Sequence, residues 1–134
     1  MKKISVLFVF LTLLLTFTVI TNSVEGIELN PAYIALESHQ CNFNIDKGIA
    51  ALAGDAKCSN CYKVKLTLYL QRYANNSWVN IGSWSGNKDI YSYVNETSTV
   101  SSGYTYRVKS VAIVYDKNNK IIEESTLYSK TIDY

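Results

Sequence analysis

Residues 62–73, YKVKLTLYLQRY, decide the fold class of this chain. Apolar and polar side chains alternate along the segment. The apolar set is Val64, Leu66, Leu68 and Leu70, and the intervening set is Lys63, Lys65, Thr67, Tyr69 and Gln71. Successive side chains of a β-strand point to opposite faces, so this rhythm predicts a strand with one buried face and one solvated face.

The same two-residue rhythm recurs on both sides of this segment. Further strands are predicted at residues 32–45, 49–57, 78–84, 90–100, 104–115 and 121–132, separated by clusters of Asn, Asp, Gly and Lys. No segment sustains the 3.6-residue period of an amphipathic helix. About seven strands at this spacing predict one all-β antiparallel domain, a sandwich or a small barrel.

Asn75 and Asn76 are predicted to centre a hairpin, which makes the numbers of cross-strand partners sum to 151. Leu70 then opposes Ile81 on the core face, Arg72 opposes Val79, and Gln71 opposes Asn80. The outer face collects four aromatic residues: Tyr69, Tyr73, Trp78 and Trp84.

This aromatic strip has two interpretations. Exposed, it would stack on sugar rings of a carbohydrate or anchor a protein partner. The plainer interpretation is hairpin stabilisation by a Tyr73–Trp78 pair, or a register slip that sends the tryptophans into the core.

The N-terminus predicts export. Lys2 and Lys3 precede a mainly apolar run at residues 4–20, the profile of a signal peptide helix. We expect cleavage near Ser23 or Gly26, which makes residues 1–26 the signal peptide, residues 27–134 the mature domain, and the product secreted and extracellular. The alternative is an uncleaved membrane anchor, and the membrane is expected as a partner only through this segment.

Charge argues against nucleic acid as a partner. The chain has 13 Lys and Arg against 11 Asp and Glu, scattered with no basic block. Phosphate binding needs a clustered positive face. No phosphate loop is present, so no cofactor is expected.

Three cysteines raise the questions of disulfides and metal. Cys58 and Cys61 are separated by two residues and form the favoured disulfide pair. Zinc bound by His39, Cys41 and this pair is disfavoured, because a turn at residues 46–48 places Cys41 several residues from Cys58 along the strands. Cys41 is left to be buried or to link two chains.

No catalytic constellation is found. His39 is the single histidine, expected to be a solvated residue at a strand edge, and no nucleophile motif surrounds any Ser or Cys. Glu123 and Glu124 are adjacent, so on a strand they face opposite sides and cannot act together. The chain is predicted not to be an enzyme.

Residues 103–111, GYTYRVKSV, resemble the penultimate strand of a fibronectin type III-like or immunoglobulin-like domain, with Tyr104 the candidate for a corner hydrogen bond. The stretch 64–71, together with Trp78 and Ser83-Trp84-Ser85, resembles a family of short exported Gram-positive bacterial proteins of unknown function. These resemblances cover the last 75 residues or so and imply an exported, non-catalytic domain.

We therefore expect a secreted or cell-surface β-sandwich module with a binding or structural role. The alternatives are a secreted antimicrobial or membrane-active factor, which needs a basic or amphipathic surface, and, third, a small enzyme in which His39 meets an acid or a cysteine.

Overall fold

The described chain consists of β-strands joined by short turns. A computed structural model describes residues 34–134, and these contain eight strands and no helix. The strands are β1 (Leu36–Asp46), β2 (Ile49–Cys58), β3 (Lys63–Ala74), β4 (Ser77–Ser85), β5 (Tyr91–Thr99), β6 (Thr105–Tyr115), β7 (Ile121–Tyr128) and β8 (Ile132–Asp133). The predicted all-β class is confirmed. The predicted signal peptide, its boundary with the domain, and the first two residues of the first predicted strand lie outside the described residues.

The strands form two antiparallel sheets. One has the order β1-β2-β5, and the other has the order β4-β3-β6-β7, with β8 pairing with the start of β6. Contacts of β2 with β3 and of β1 with β6 join the two sheets face to face. The fold is therefore a sandwich with β2, β3 and β6 in its middle.

The core is the layer between the sheets, and alternate residues of the middle strands fill it. The buried residues of the larger sheet include Val64, Leu66, Leu68, Leu70, Val108, Ala112 and Val114, and the smaller sheet adds Phe43, Ala50, Leu52, Ala56 and Val94. Burying one Leu or Val side chain contributes about 1.5–3 kcal/mol. The alternation that predicts β3 is thus also what stabilises the sandwich.

Two hairpins close with two-residue turns in the left-handed region. Lys47 and Gly48 have φ of 47° and 79°, and Asn75 and Asn76 have φ of 51° and 60°. Positive φ at both central residues matches the right-handed twist of the flanking strands. The Asn75–Asn76 turn gives the predicted register for the pairs nearest to it.

That register changes partway along β4. Gln71 pairs with Asn80, Arg72 with Val79 and Tyr73 with Trp78, as predicted, but a bulge intervenes between Leu70 and Gln71. The prediction that Leu70 opposes Ile81 is wrong, because Leu70 pairs with Gly82.

The bulge also overturns the predicted position of Trp84. One extra residue inverts the faces of everything beyond it. Trp84 pairs with the buried Leu68 and packs against the core, so it lies on the inner face rather than in the outer aromatic strip.

The predicted last strand is divided in two. Ser129 interrupts it, with its Oγ accepting from the backbone N–H of Val108 and donating to the carbonyl of Lys130. A side chain thereby replaces a backbone partner of β6, and pairing resumes only at β8.

The tyrosine at the start of β6 that makes the corner bond is Tyr106, not Tyr104. The hydroxyl of Tyr106 donates to the carbonyl of Ser101 at 2.7 Å, and its ring is 1% exposed. Tyr104 is 41% exposed. The alternation of β6 explains this difference, because Tyr106 shares the inward face with Val108 and Tyr104 precedes the strand.

Glu123 ties the beginning of the described chain to β7. Its carboxylate accepts from the backbone N–H groups of Ile34, Ala35 and Leu36, at 3.3, 2.7 and 2.9 Å. Glu123 opposes the buried Val114, whereas Glu124 is exposed. The two carboxylates thus separate to opposite faces, as their adjacency predicts.

Candidate functional site

The outer face of the larger sheet carries a cluster of aromatic and cationic side chains. We call it the aromatic-cationic patch, and it consists of Tyr69, Tyr73, Trp78, Arg107, Lys109 and Tyr128. Four strands contribute to it, β3, β4, β6 and β7, which lie side by side in that sheet. The register brings these residues together, since Tyr73 opposes Trp78, Tyr69 opposes Lys109, and Lys109 opposes Tyr128.

A chain of polar side chains crosses the middle of the patch. Gln71 Nε2 donates to Asn80 Oδ1 at 2.8 Å, and Arg107 Nε donates to Gln71 Oε1 at 2.8 Å. Gln71 is only 6% exposed although it lies on the outer face. Its amide is held on both sides, so the position of Arg107 is fixed from below.

Aromatic rings hold the guanidinium of Arg107. Its Cζ lies 4.1 Å from the centroid of the Trp78 ring and 4.2 Å from that of Tyr128. Tyr73 in turn packs against Trp78 with ring centroids 5.2 Å apart. Each cation–π contact contributes about 0.5–1 kcal/mol at an exposed site.

The patch presents aromatic surface to solvent. Tyr73 is 43% exposed and Tyr128 is 52% exposed, while Trp78 is half-buried beneath Arg107. The Tyr73–Trp78 pair that the hairpin predicts is confirmed.

The two central strands of this sheet are basic. Their outward residues include Lys63, Lys65, Arg107 and Lys109, and neither β3 nor β6 contains Asp or Glu. The carboxylates on this side are at the margin, Glu124 on β7 and Asp133 on β8. Balanced overall charge therefore coexists with a basic stripe on one face.

Sequence reasoning found Tyr69, Tyr73 and Trp78 but missed Arg107, Lys109 and Tyr128. The alternation of β6 already placed Arg107 and Lys109 on its solvated face. The missing information was that β6 lies beside β3, a pairing between strands that are far apart in sequence.

The histidine is not the solvated edge residue that the sequence suggested. His39 is 9% exposed on the inward face of β1, with its Nδ1 2.9 Å from Ser125 Oγ and its Nε2 2.8 Å from Ser110 Oγ. Burial lowers the pKa of His39 to about 4. It meets two serines rather than an acid or a cysteine, and Ser110 has no exposed surface for a substrate to reach.

Cys58 and Cys61 are joined by a disulfide, the pairing favoured by their spacing. Cys41 is a free thiol that packs partly against the core, opposite Gly54. Burial raises the pKa of Cys41 to about 11, which leaves it protonated and a poor nucleophile near neutral pH.

Other surfaces of the described residues lack a comparable cluster of aromatic and charged side chains. A shallow groove of about 560 Å³ is lined mainly by small and amide side chains of the smaller sheet, among them Asn42, Ala51, Ala53 and Asn95, and also by Ser129 and Lys130, which follow β7. Across residues 34–134, no three His, Cys, Asp or Glu side chains are grouped to hold a metal ion. The described part of the chain also has no apolar helix of membrane-spanning length.

Comparison of the chain with protein-family profiles finds no match, and comparison with curated protein sequences finds none.

Proposed function

We propose that this chain is an exported, non-catalytic β-sandwich module of immunoglobulin-like or fibronectin type III-like kind. Two observations support the finer classification: sheets of three and four main strands with antiparallel neighbours, and the Tyr106 corner bond at the start of the penultimate long strand. Export is supported by the N-terminal segment of the sequence and by the Cys58–Cys61 disulfide, since disulfides persist in oxidising compartments.

We propose further that the module binds a saccharide through the aromatic-cationic patch. The observation that carries this is the presence of exposed tyrosine rings beside hydrogen-bonding groups whose positions are fixed. Sugars present apolar C–H faces between hydroxyls, so they are recognised by aromatic platforms with polar groups at their edges. Tyr73 on β3 and Tyr128 on β7 supply the exposed rings. Arg107 supplies polar atoms from β6, the strand between them, and Asn80 supplies an amide from the edge strand β4.

The experiment uses the full chain expressed with its own N-terminal segment. Binding to an array of polysaccharides is compared for the unmodified protein, Tyr73→Ala and Tyr128→Ala. Tyr93→Ala is the matched control, because Tyr93 is even more exposed than the two patch tyrosines but lies on β5, in the opposite sheet.

We expect loss of binding in the Tyr73 and Tyr128 variants at unchanged circular dichroism, and no loss in the Tyr93 variant. Saccharide binding that survives both patch substitutions would refute the assignment to this surface.

A membrane-active function is the second candidate, because one observation favours it. The outward residues of β3 and β6 combine cations with aromatic rings, a composition suited to anionic lipid surfaces. Leakage of dye from anionic vesicles decides between the two candidates.

A further inference from the structure

The guanidinium of Arg107 has hydrogen-bond donors that no described residue accepts, and we call its two terminal nitrogens the fork. Among residues 34–134, Nε is its one nitrogen that donates to a protein acceptor, Gln71 Oε1. Arginine has five N–H donors in a fixed plane, so the four on its terminal nitrogens are available to a ligand. A planar oxyanion is the chemical group that matches such a fork with two parallel hydrogen bonds.

The fork is also held in place before any ligand arrives. Gln71 is anchored by Asn80, and the rings of Trp78 and Tyr128 lie within 4.2 Å of the Arg107 Cζ. A cation fixed in this way loses little conformational entropy when it binds, and this preorganisation raises affinity.

The surroundings favour an anion rather than a neutral group. Lys109 follows two residues later on the same face of β6, with its Nζ 6.0 Å from the Tyr69 ring centroid. Within the described residues Arg107 has no carboxylate partner, since the ion pair found there joins Lys57 to Glu37. The nearby carboxylate of Asp133 accepts a hydrogen bond from Thr105, so it does not occupy the terminal nitrogens of Arg107, and these remain open to a ligand carboxylate.

We propose that the aromatic-cationic patch recognises an acidic saccharide, with the sugar carboxylate bound by the terminal nitrogens of Arg107 and the ring stacked on Tyr73 or Tyr128. This rests on the proposed function, because it names the substrate class of the same surface. Lys109 adds electrostatic attraction for the next acidic residue of a polymer.

The test measures the affinity of the full chain for polygalacturonate, alginate and hyaluronate and for the carboxyl-reduced form of each polymer. The variants are Arg107→Gln, Arg107→Lys and Lys57→Gln. Lys57→Gln removes the same charge from the opposite sheet, where Lys57 is more than half exposed. It therefore controls for net charge.

We expect at least one acidic polymer to bind about tenfold or more tightly than its reduced form, since tenfold corresponds to the net contribution of about one charge-assisted hydrogen bond. Arg107→Gln should abolish that preference and Lys57→Gln should preserve it. Arg107→Lys should keep only part of it, because an ammonium lacks the planar fork.

Three outcomes overturn the inference. Equal affinity for acidic and reduced polymers removes the acidic preference while the saccharide platform stands, and this comparison needs no variant to fold. An equal loss of the acidic preference in Arg107→Gln and Lys57→Gln would mean that net charge, and not the Arg107 fork, causes the preference. The third outcome is binding to phosphatidylglycerol vesicles that depends on Arg107, with no binding to any polymer. The fork would then recognise lipid phosphate, and the proposed saccharide function would also be wrong.

Discussion

Acidification should destabilise this sandwich through His39. The imidazole lies between the two sheets with both ring nitrogens at serine hydroxyls, Ser110 on β6 and Ser125 on β7. A neutral imidazole donates from one nitrogen and accepts at the other, whereas protonation makes both nitrogens donors and places a charge in the core. The serines can adapt to a second donor, but within residues 34–134 the hydrogen-bond partners of the ring are these two hydroxyls and not a carboxylate.

The magnitude follows from the displaced pKa. Burial lowers the pKa of His39 from 6.5 to about 4, so the unfolded chain binds the proton more readily than the folded one. Stability is therefore full above the unfolded pKa and falls as the pH drops from 6.5 towards 4. Linkage gives a loss of about 2.5 kcal/mol between about pH 7.5 and about pH 4.5 from this one group.

The assay is urea denaturation followed by tryptophan fluorescence at both pH values, for the unmodified protein and for His39→Gln. The variant carries no titrating group at this position. Exposed acids such as Glu37, whose pKa the side chain of Lys57 lowers, titrate in both proteins, and their contribution cancels in the comparison. We expect the unmodified protein to lose about 2.5 kcal/mol more than His39→Gln.

Equal losses in the two proteins would refute the reasoning. So would an NMR titration of the His39 ring in the folded protein with a midpoint near its ordinary value.

Three further predictions follow from the packing. Tyr106→Phe removes the donor to the Ser101 carbonyl and should lower the free energy of unfolding in urea by about 1 kcal/mol, whereas Tyr104→Phe should leave it unchanged; equal effects would mean that the corner bond is misassigned. Glu123→Gln weakens the acceptor of three backbone amides and should speed hydrogen exchange at the start of β1 but not in the β3–β4 hairpin, and unchanged exchange would count against this anchor. The Cys41 thiol, its pKa raised to about 11, should resist iodoacetamide at neutral pH until the protein is unfolded, and fast alkylation of the folded protein would contradict its burial.

The parts of the fold that the sequence predicts are those encoded locally. Alternation in β3 and β6 places their buried residues, and Asn75–Asn76 fixes the turn and the first pairs of the hairpin. Each of these signals extends over a few neighbouring residues. None of these signals depends on contacts between strands that are distant in sequence.

The place of the bulge in β4 depends on packing. The sequence offers a register slip only as an alternative that would send both tryptophans into the core, and the structure does this to Trp84 but not to Trp78. Trp84 covers Gly82 so closely that a Cβ added to Gly82 would lie 2.5 Å from the Trp84 ring. A glycine inside a strand pattern signals a bulge or a close approach of this kind. Gly82 was therefore the clue that the hairpin does not keep one register to its end.

His39 carried a comparable clue. It shares its parity on β1 with Cys41 and Phe43, and these side chains also face the core. This shared parity indicates an inward side chain, but the polar character of histidine favours the prediction of a solvated residue at a strand edge. Its burial depends on two serines from the other sheet, which no local pattern on β1 reveals.

The patch contrasts with the rest of the same sheet face. One row lower, Thr67 pairs with Val111, and Val111 pairs with Thr126, an ordinary set of outer-face residues for a sandwich. Small β-branched side chains at equivalent positions are therefore sufficient to form this sheet. The patch row instead buries the Gln71 amide and holds the Arg107 guanidinium against it. Desolvating the Gln71 amide cancels most of what its hydrogen bonds return, so these bonds add little net stability beyond the cation–π contacts of Arg107. Stability alone does not account for this row, whereas recognition of an anionic ligand requires a guanidinium whose position is fixed in advance.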